Sequence, residues 1–255
     1  MIDTRFDVAG KVVCITGGSR GLGKALANAF AQAGARVMAA SWEPEALAED
    51  EAEAKRAGLS IRTHVTDVTV RDQCRALIDA TVSAYGGIDV MICNAGIDII
   101  KPAETFEEAE WDQILDVNLR GYFYCAQFAA IPMLARSGGA IIMTSSIAGV
   151  HGITGLAPYA ASKGGVDQLV RTLAVEWATR GVRVNAVAPG YLQNIMTGIP
   201  YDPDNPYQKH AVERTPMRRR GGLQELTGAY LFLASEAASY VTGSILYVDG
   251  GYHAG

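Results

Sequence analysis

Seven short apolar runs punctuate this chain, each separated from the next by a segment long enough for a helix. The runs are KVVCIT (11–16), ARVMAA (35–40), SIRTHV (60–65), IDVMIC (88–93), GAIIMT (139–144), VRVNAV (182–187) and SILYVD (244–249). They are rich in apolar and β-branched residues, as strands covered on both faces are. Between them, residues 21–33, 44–57, 69–85, 107–135, 157–180 and 223–235 carry helical patterns. Strands alternating with crossovers of this length imply a parallel sheet with helices on both faces. Pro132 is expected to end or kink the fourth helix. With 255 residues, 49% of them hydrophobic, the chain suits one α/β domain over 1–255. Residues 191–222, which include GIPYDPDNPY, break the alternation and read as an irregular substrate loop.

The totals narrow the partners. A net charge of -5 argues against nucleic acid and anionic membranes. The RRR at 218–220 is too short for a nucleic-acid tract and reads as a solvated or ion-paired face. Cys14, Cys74, Cys93 and Cys125 form no CxxC pair, and three of them sit within apolar runs and suit buried thiols in a reducing compartment. No His/Cys/Asp/Glu cluster has metal-ligand spacing. MIDTRFDVAGK has no apolar h-region, and no window reaches the length of a membrane span. A soluble cytoplasmic protein is expected.

The first run leads into TGGSRGLG (16–23) and then a helix. Glycines allow a tight turn and close approach to a pyrophosphate, and the helix N-terminus supplies N–H groups and a positive dipole end. Gly17, Gly21 and Gly23 would come closest, with Ser19, Arg20 and Leu22 beside them. The same octapeptide fits the G-x-S-x-G nucleophile elbow, with Ser19 as nucleophile and His253 as a late histidine. Only ten residues precede the first run, too few for the earlier strand that supplies an oxyanion loop in that fold. At the end of the second run a dinucleotide site needs a ribose reader, an acid where NAD is selected. Here Ser41 and Trp42 stand in that place, and neither repels a 2′-phosphate. Arg20 can pair with that phosphate and Ser41 can hydrogen-bond it, which favours NADP over NAD. Glu43 is the counter-argument, since it can turn inward and take the acid's role.

YAASKGG (159–165) places Tyr159 and Lys163 one helical turn apart. A tyrosine of reference pKa about 10 is no base at neutral pH, but a nearby ammonium lowers that value. Thirteen residues earlier lies Ser146, in MTSSIAG at the end of the fifth run. CNAG (93–96) and APGYL (188–192) end the fourth and sixth runs at the same carboxyl edge, where parallel sheets bind ligands. VNLRG puts Asn118 inside the long fourth helix, where an amide needs a reason.

With these motifs in this order, the chain resembles the short-chain dehydrogenase/reductases over essentially its whole length. The resemblance implies a Rossmann-like, doubly wound, seven-stranded parallel sheet and a homotetramer. It implies an Asn118–Ser146–Tyr159–Lys163 tetrad. Asn118 would hold a water behind the lysine, Ser146 would bond the substrate oxygen and Tyr159 would exchange the proton. Lys163 would bind the nicotinamide ribose and depress the tyrosine. Ser146 is preferred to Ser145 because the family's serine lies thirteen residues before the tyrosine. Asp67 and Val68 would contact adenine, Asn94, Ala95 and Gly96 would line the cofactor cleft, and Pro189 and Gly190 would flank the nicotinamide. Leu192 and Asn194 follow, with Asn194 where many members carry a threonine.

The expected reaction moves a hydride between a nicotinamide and a small alcohol or ketone, without a metal. Candidate substrate residues are Ser146, His151 and Tyr191, with Ile97, Asp98, Ile147, Ile153 and Leu192 nearby. The loop 195–215 would close over them and add Tyr201, Tyr207 and His210. This mixture suits a polyol, sugar acid or keto compound. The rival within the family is a 3-oxoacyl-carrier-protein reductase, which presents arginines to its acidic carrier. Ser137 and Val175 stand in those places here, with Arg136 adjacent to the first. A different class of reading is an NADP-binding sensor or scaffold without turnover, against which the full tetrad argues.

Overall fold

A computed structural model describes residues 4–193, 202 and 204–255. All seven runs are strands: β1 Val12–Thr16, β2 Arg36–Ser41, β3 Ile61–Val65, β4 Val90–Cys93, β5 Gly139–Thr144, β6 Val182–Pro189 and β7 Ile245–Val248. They form one sheet in the order β3-β2-β1-β4-β5-β6-β7, and every pairing is parallel. The strand order reverses between β1 and β4, so their carboxyl ends part and leave a crevice, the place where open α/β sheets bind ligands.

The helices are α1 Gly21–Gln32, α2 Pro44–Arg56, α3 Arg71–Tyr85, α4 Glu108–Leu115, α5 Gly121–Ala135, α6 Ala157–Trp177, α7 Pro206–Arg214 and α8 Gln224–Ala234. Neighbouring strand residues feed opposite faces of the sheet. Cys14, Met91, Cys93 and Met143 join Leu77 of α3, Tyr122 and Met133 of α5 and Val166 of α6 in one core. Val13, Ile15, Ile92 and Ile142 join Leu26 and Phe30 of α1 and Tyr230 of α8 in the other. All four cysteines are buried free thiols.

Three local features differ from the sequence reading. The helix expected over 107–135 is split by a π-helical turn, Asp116–Arg120, centred on the fully buried Asn118. Such turns arise where a side chain must be re-aimed, often at functional sites. Pro132 does not end α5, whose flanking residues Phe128, Ala129, Ala130 and Met133 are buried and hold the helix through it. Residues 191–222, expected to be irregular, contain α7. Pro206 opens that helix, where its missing N–H costs nothing. Among the described residues, no helix is long and apolar enough to cross a membrane.

Candidate active site

The turn after β1 is pressed against the end of β4. Gly17 has φ +68°, and a Cβ there would stand 2.9 Å from the Ala95 Cα. A Cβ on Gly23 would stand 1.9 Å from the Gly17 carbonyl oxygen, so no side chain fits. Thr16 and Asn94 lock the two strand ends together. The Asn94 N–H donates to Thr16 Oγ1 at 3.0 Å, and its side-chain amide donates to the Thr16 carbonyl at 3.1 Å. Thr144, at the end of β5, donates to Asn94 Oδ1 at 3.2 Å. The N-terminus of α1 has no side-chain cap. A bare helix start behind a turn too tight for side chains fits a pyrophosphate.

At the end of β2, a hydroxyl and a guanidinium meet on one carboxylate. Ser19 Oγ donates to Ser41 Oγ at 2.9 Å and lies 3.1 Å from Glu43 Oε2. Arg20 Nη1 pairs with Glu43 Oε1 at 3.0 Å. Arg20, expected to await a phosphate, is thus held by the acid that the sequence reading set against it. Trp42 lies beside this cluster with its ring exposed. Asp67 Oδ1 accepts from the Thr69 N–H and hydroxyl, and Val68 is buried against the start of α5, where Gly121 leaves it room. The elbow reading fails here. Ser19 is buried among Ser41 and Glu43, while His253 contacts His151 at 3.0 Å and stacks on Tyr247.

The four tetrad candidates come together at the carboxyl edge. Asn118 Oδ1 accepts from the Ile97 N–H at 2.9 Å, and its Nδ2 donates to the Ile97 carbonyl at 2.8 Å. The same Nδ2 reaches Ser162 Oγ at 3.3 Å, and that hydroxyl donates to the Tyr159 carbonyl at 2.6 Å. The Asn118 amide therefore fixes the loop after β4 and the first turns of α6. Lys163 is buried, and its Nζ donates to the Thr144 carbonyl at 2.8 Å and lies 3.4 Å from Tyr122 Oη. It stands 5.5 Å from the centre of the Tyr159 ring. Burial pulls Lys163 down to about 7, opposed by the charges of Asp167 and Asp98. Burial pushes Tyr159 up to about 12, a hydrogen bond with Ser146 opposes this, and the Asp98 charge adds to it.

The substrate candidates sit on the far wall. His151 packs edge-on against Tyr252, as does Tyr191. Arg214, the last residue of α7, lies over the Tyr252 ring at 4.7 Å. Leu192 is buried and bridges to Gly221. Gly190 presses on β7, where a Cβ would stand 2.7 Å from the Asp249 Cα. His210 is exposed on α7. Asn194 and Tyr201 lie outside the described residues, as does much of the loop expected to close the site, and the Tyr207 side chain is likewise outside them. In the RRR stretch, Arg219 pairs with both Glu225 oxygens at 2.7 Å, as an ion-paired face requires.

Sequence reasoning passed over Thr16, Thr144, Tyr122, Ser162 and Asp167. Each acts on a tetrad residue or a cofactor-cleft residue through a hydrogen bond or a charge. Thr16, Thr144 and Ser162 stood inside quoted motifs, and their neighbours drew the attention.

The family described as enoyl-(acyl carrier protein) reductase matches residues 17–253. The chain belongs to the short-chain dehydrogenase/reductases. It is an oxidoreductase acting on CH–OH groups with a nicotinamide dinucleotide. It is 40% identical to a 3-oxoacyl-[acyl-carrier-protein] reductase of Thermotoga maritima, over 95% of this chain and 97% of the relative. It is 36% identical to gluconate 5-dehydrogenase of Gluconobacter oxydans, over 96% of each. The crystal structure of a gluconate 5-dehydrogenase from Burkholderia cenocepacia, in complex with NADP and tartrate, superposes with a TM-score of 0.92. That protein is 36% identical, with 98% of each chain covered.

Proposed function

We propose that this enzyme interconverts a polyol or sugar acid with its ketone, using Tyr159 as proton donor and acceptor and NADP as the favoured cofactor. The observation that carries this reading is the meeting of Ser146, Tyr159 and Lys163 beside a glycine turn that excludes side chains. Bound nicotinamide supplies or accepts the hydride, and the chain's residues do the rest. Ser146 and Tyr159 hold the substrate oxygen between their hydroxyls. Tyr159 gives its proton to that oxygen in reduction and takes it in oxidation. Lys163 holds the ribose and steadies the phenolate as it forms. The Asn118 amide is committed to Ile97 and Ser162, so it fixes the loop after β4 and the start of α6 around Lys163. Gly17, Gly21 and Gly23 face the pyrophosphate, Asp67 and Val68 the adenine, and Asn94 to Gly96 with Pro189 and Gly190 the nicotinamide side.

NADP is favoured because Ser19 and Arg20 already reach an anion, with the Ser41 hydroxyl beside them. That anion is the Glu43 carboxylate, and a 2′-phosphate would take its place. Relatives crystallised with NADP support this.

The acyl-carrier reading has weaker support. Arg136, adjacent to the first expected contact, is tied to Asp89 at 2.8 Å and to the Ile88 carbonyl. Val175 is exposed and carries no charge.

We read the chain as a single catalytic domain that works in the cytoplasm as a homotetramer. The free thiols suit a reducing compartment. Edge strand β7 and the exposed Phe123 and Ile131 of α5 offer surface for assembly.

The test is turnover with NADPH on keto sugar acids, keto polyols and β-ketoacyl thioesters. Faster reduction of the keto acids or polyols supports the proposal. Faster reduction of the thioesters overturns it.

A further inference from the structure

Asp167 follows Lys163 by one turn of α6, so the two side chains share a helix face. Asp167 is 2% exposed. Its Oδ1 accepts from the Ser145 hydroxyl at 2.5 Å, and its Oδ2 is buried without a hydrogen-bond partner. That oxygen fills the space above Gly149, where an added Cβ would stand 2.9 Å from it. Ser145 and Gly149 bracket Ser146, whose own Oγ caps the short turn Ile147–Gly149 by accepting from the Ala148 N–H. The carboxylate thus ties α6 to the segment that carries the candidate substrate-binding serine.

A buried carboxylate with an unpartnered oxygen costs free energy unless a charge offsets it. The groups that face it are Ser145 from the end of β5, Lys163 and Arg171 from its own helix, and Tyr247 from β7. Lys163 in turn faces Asp98 from the loop after β4, the Thr144 carbonyl of β5, Tyr122 of α5 and Tyr159 of its own helix. Of these, Asp98 and Asp167 are the acids, each raised by burial and held down by the charge of Lys163. Asp98 also acts on Tyr159 directly, raising it, so its two influences on the phenol oppose one another. Asp167 bears on the phenol through Lys163.

We propose that Asp167 is a positioning residue of the reaction, the buried counter-charge that keeps Lys163 an ammonium and the anchor that sets Ser146. This rests on the reading of Ser146, Tyr159 and Lys163 as the reacting set. The two duties are separable. Ser145→Ala removes the hydrogen bond and leaves the carboxylate. Asp167→Asn keeps the shape and a hydrogen-bonding oxygen and removes the charge.

The experiment is the pH profile of kcat/KM for alcohol oxidation by wild type, D167N and S145A, each with saturating cofactor. Without the carboxylate, Lys163 loses its proton at lower pH, the phenolate loses its support, and Tyr159 titrates higher. The rising limb of D167N is therefore expected to move to alkaline pH by about one unit. S145A is expected to lose kcat with its limb in place. A D167N limb that coincides with wild type overturns the proposal, and so does an equal shift in S145A. Tyr159→Phe serves as the separate control. If that variant turns over normally, the reading of the reacting set fails, whatever D167N does.

Discussion

Lys163 Nζ donates to the Thr144 carbonyl at 2.8 Å, while the Tyr159 ring centre lies 5.5 Å away. The cation is anchored on the end of β5. Burial moves the two groups in opposite directions, Lys163 to about 7 and Tyr159 to about 12. Each shift favours the neutral form, because charge is costly in the interior. The sequence spacing put both side chains on one face. It did not say which atom would hold the ammonium.

The depressed Lys163 makes stability depend on pH. Below about pH 7 both the folded and unfolded chains hold its proton, and the folded chain carries the full cost of a buried ammonium. From there to the ordinary lysine value of 10.5, the unfolded chain binds the proton and the folded chain does not. Stability from this group therefore rises with pH across that window. Lys163→Met removes the group, so its gain in Tm over wild type should be larger at pH 6 than at pH 9. Thermal melts without cofactor at the two pH values check this. A gap that widens toward pH 9 refutes the depressed lysine.

Tyr159→Phe keeps the ring and removes the exchangeable proton. Turnover should fall by about 100- to 10,000-fold, the range for loss of a general acid or base. Cofactor binding, followed by quenching of Trp42 or by NADPH fluorescence, should stay within a few-fold of wild type. Retained turnover would remove Tyr159 from the reaction.

The fold was legible because its signals were local and repeated. Seven apolar runs became seven strands, with ends shifted by a residue or two. Tyr159, Lys163 and Ser146 were legible because their spacing matched a known order of motifs. Asn118 was found, but the work of its amide was not. Its bonds to Ile97 and Ser162 depend on a π-helical turn, and a helical pattern carries no mark of where one residue is inserted. Helix α7 was missed because Pro200, Pro203 and Pro206 read as breakers, although a proline in the first turn is compatible with a helix. Asp167 was missed because a single aspartate in an amphipathic helix reads as solvent-facing. The packing of α6 against β6 and the turn Ile147–Gly149 buries it.

Gly23→Ala tests the cofactor cradle. Its methyl would stand 1.9 Å from the Gly17 carbonyl and 2.8 Å from Asn94 Nδ2. Both belong to the lock between β1 and β4, so neither can yield without moving the turn. A loss of about 1–3 kcal/mol in stability follows from overpacking of this kind. NADPH and NADH binding should weaken together, since the pyrophosphate is common to both. A variant that melts and binds like wild type would mean that the turn is not the pyrophosphate site.

The cluster at the end of β2 decides between the cofactors. Glu43 holds Arg20 at 3.0 Å and lies 3.1 Å from Ser19 Oγ, with Ser41 beside them. If a 2′-phosphate replaces the carboxylate there, Glu43 competes with NADPH for the same donors. Glu43→Gln would then tighten NADPH binding by about threefold, the worth of one exposed charge contact, and leave NADH unchanged. Arg20→Ala would weaken NADPH and spare NADH. If instead Glu43 accepts from the ribose hydroxyls, Glu43→Gln weakens NADH, and Arg20→Ala has little effect on either cofactor. Titrating both variants with both cofactors separates the two arrangements. The second pattern would reverse the preference for NADP while leaving the hydride chemistry in place, because Ser146, Tyr159 and Lys163 take no part in reading the adenosine end.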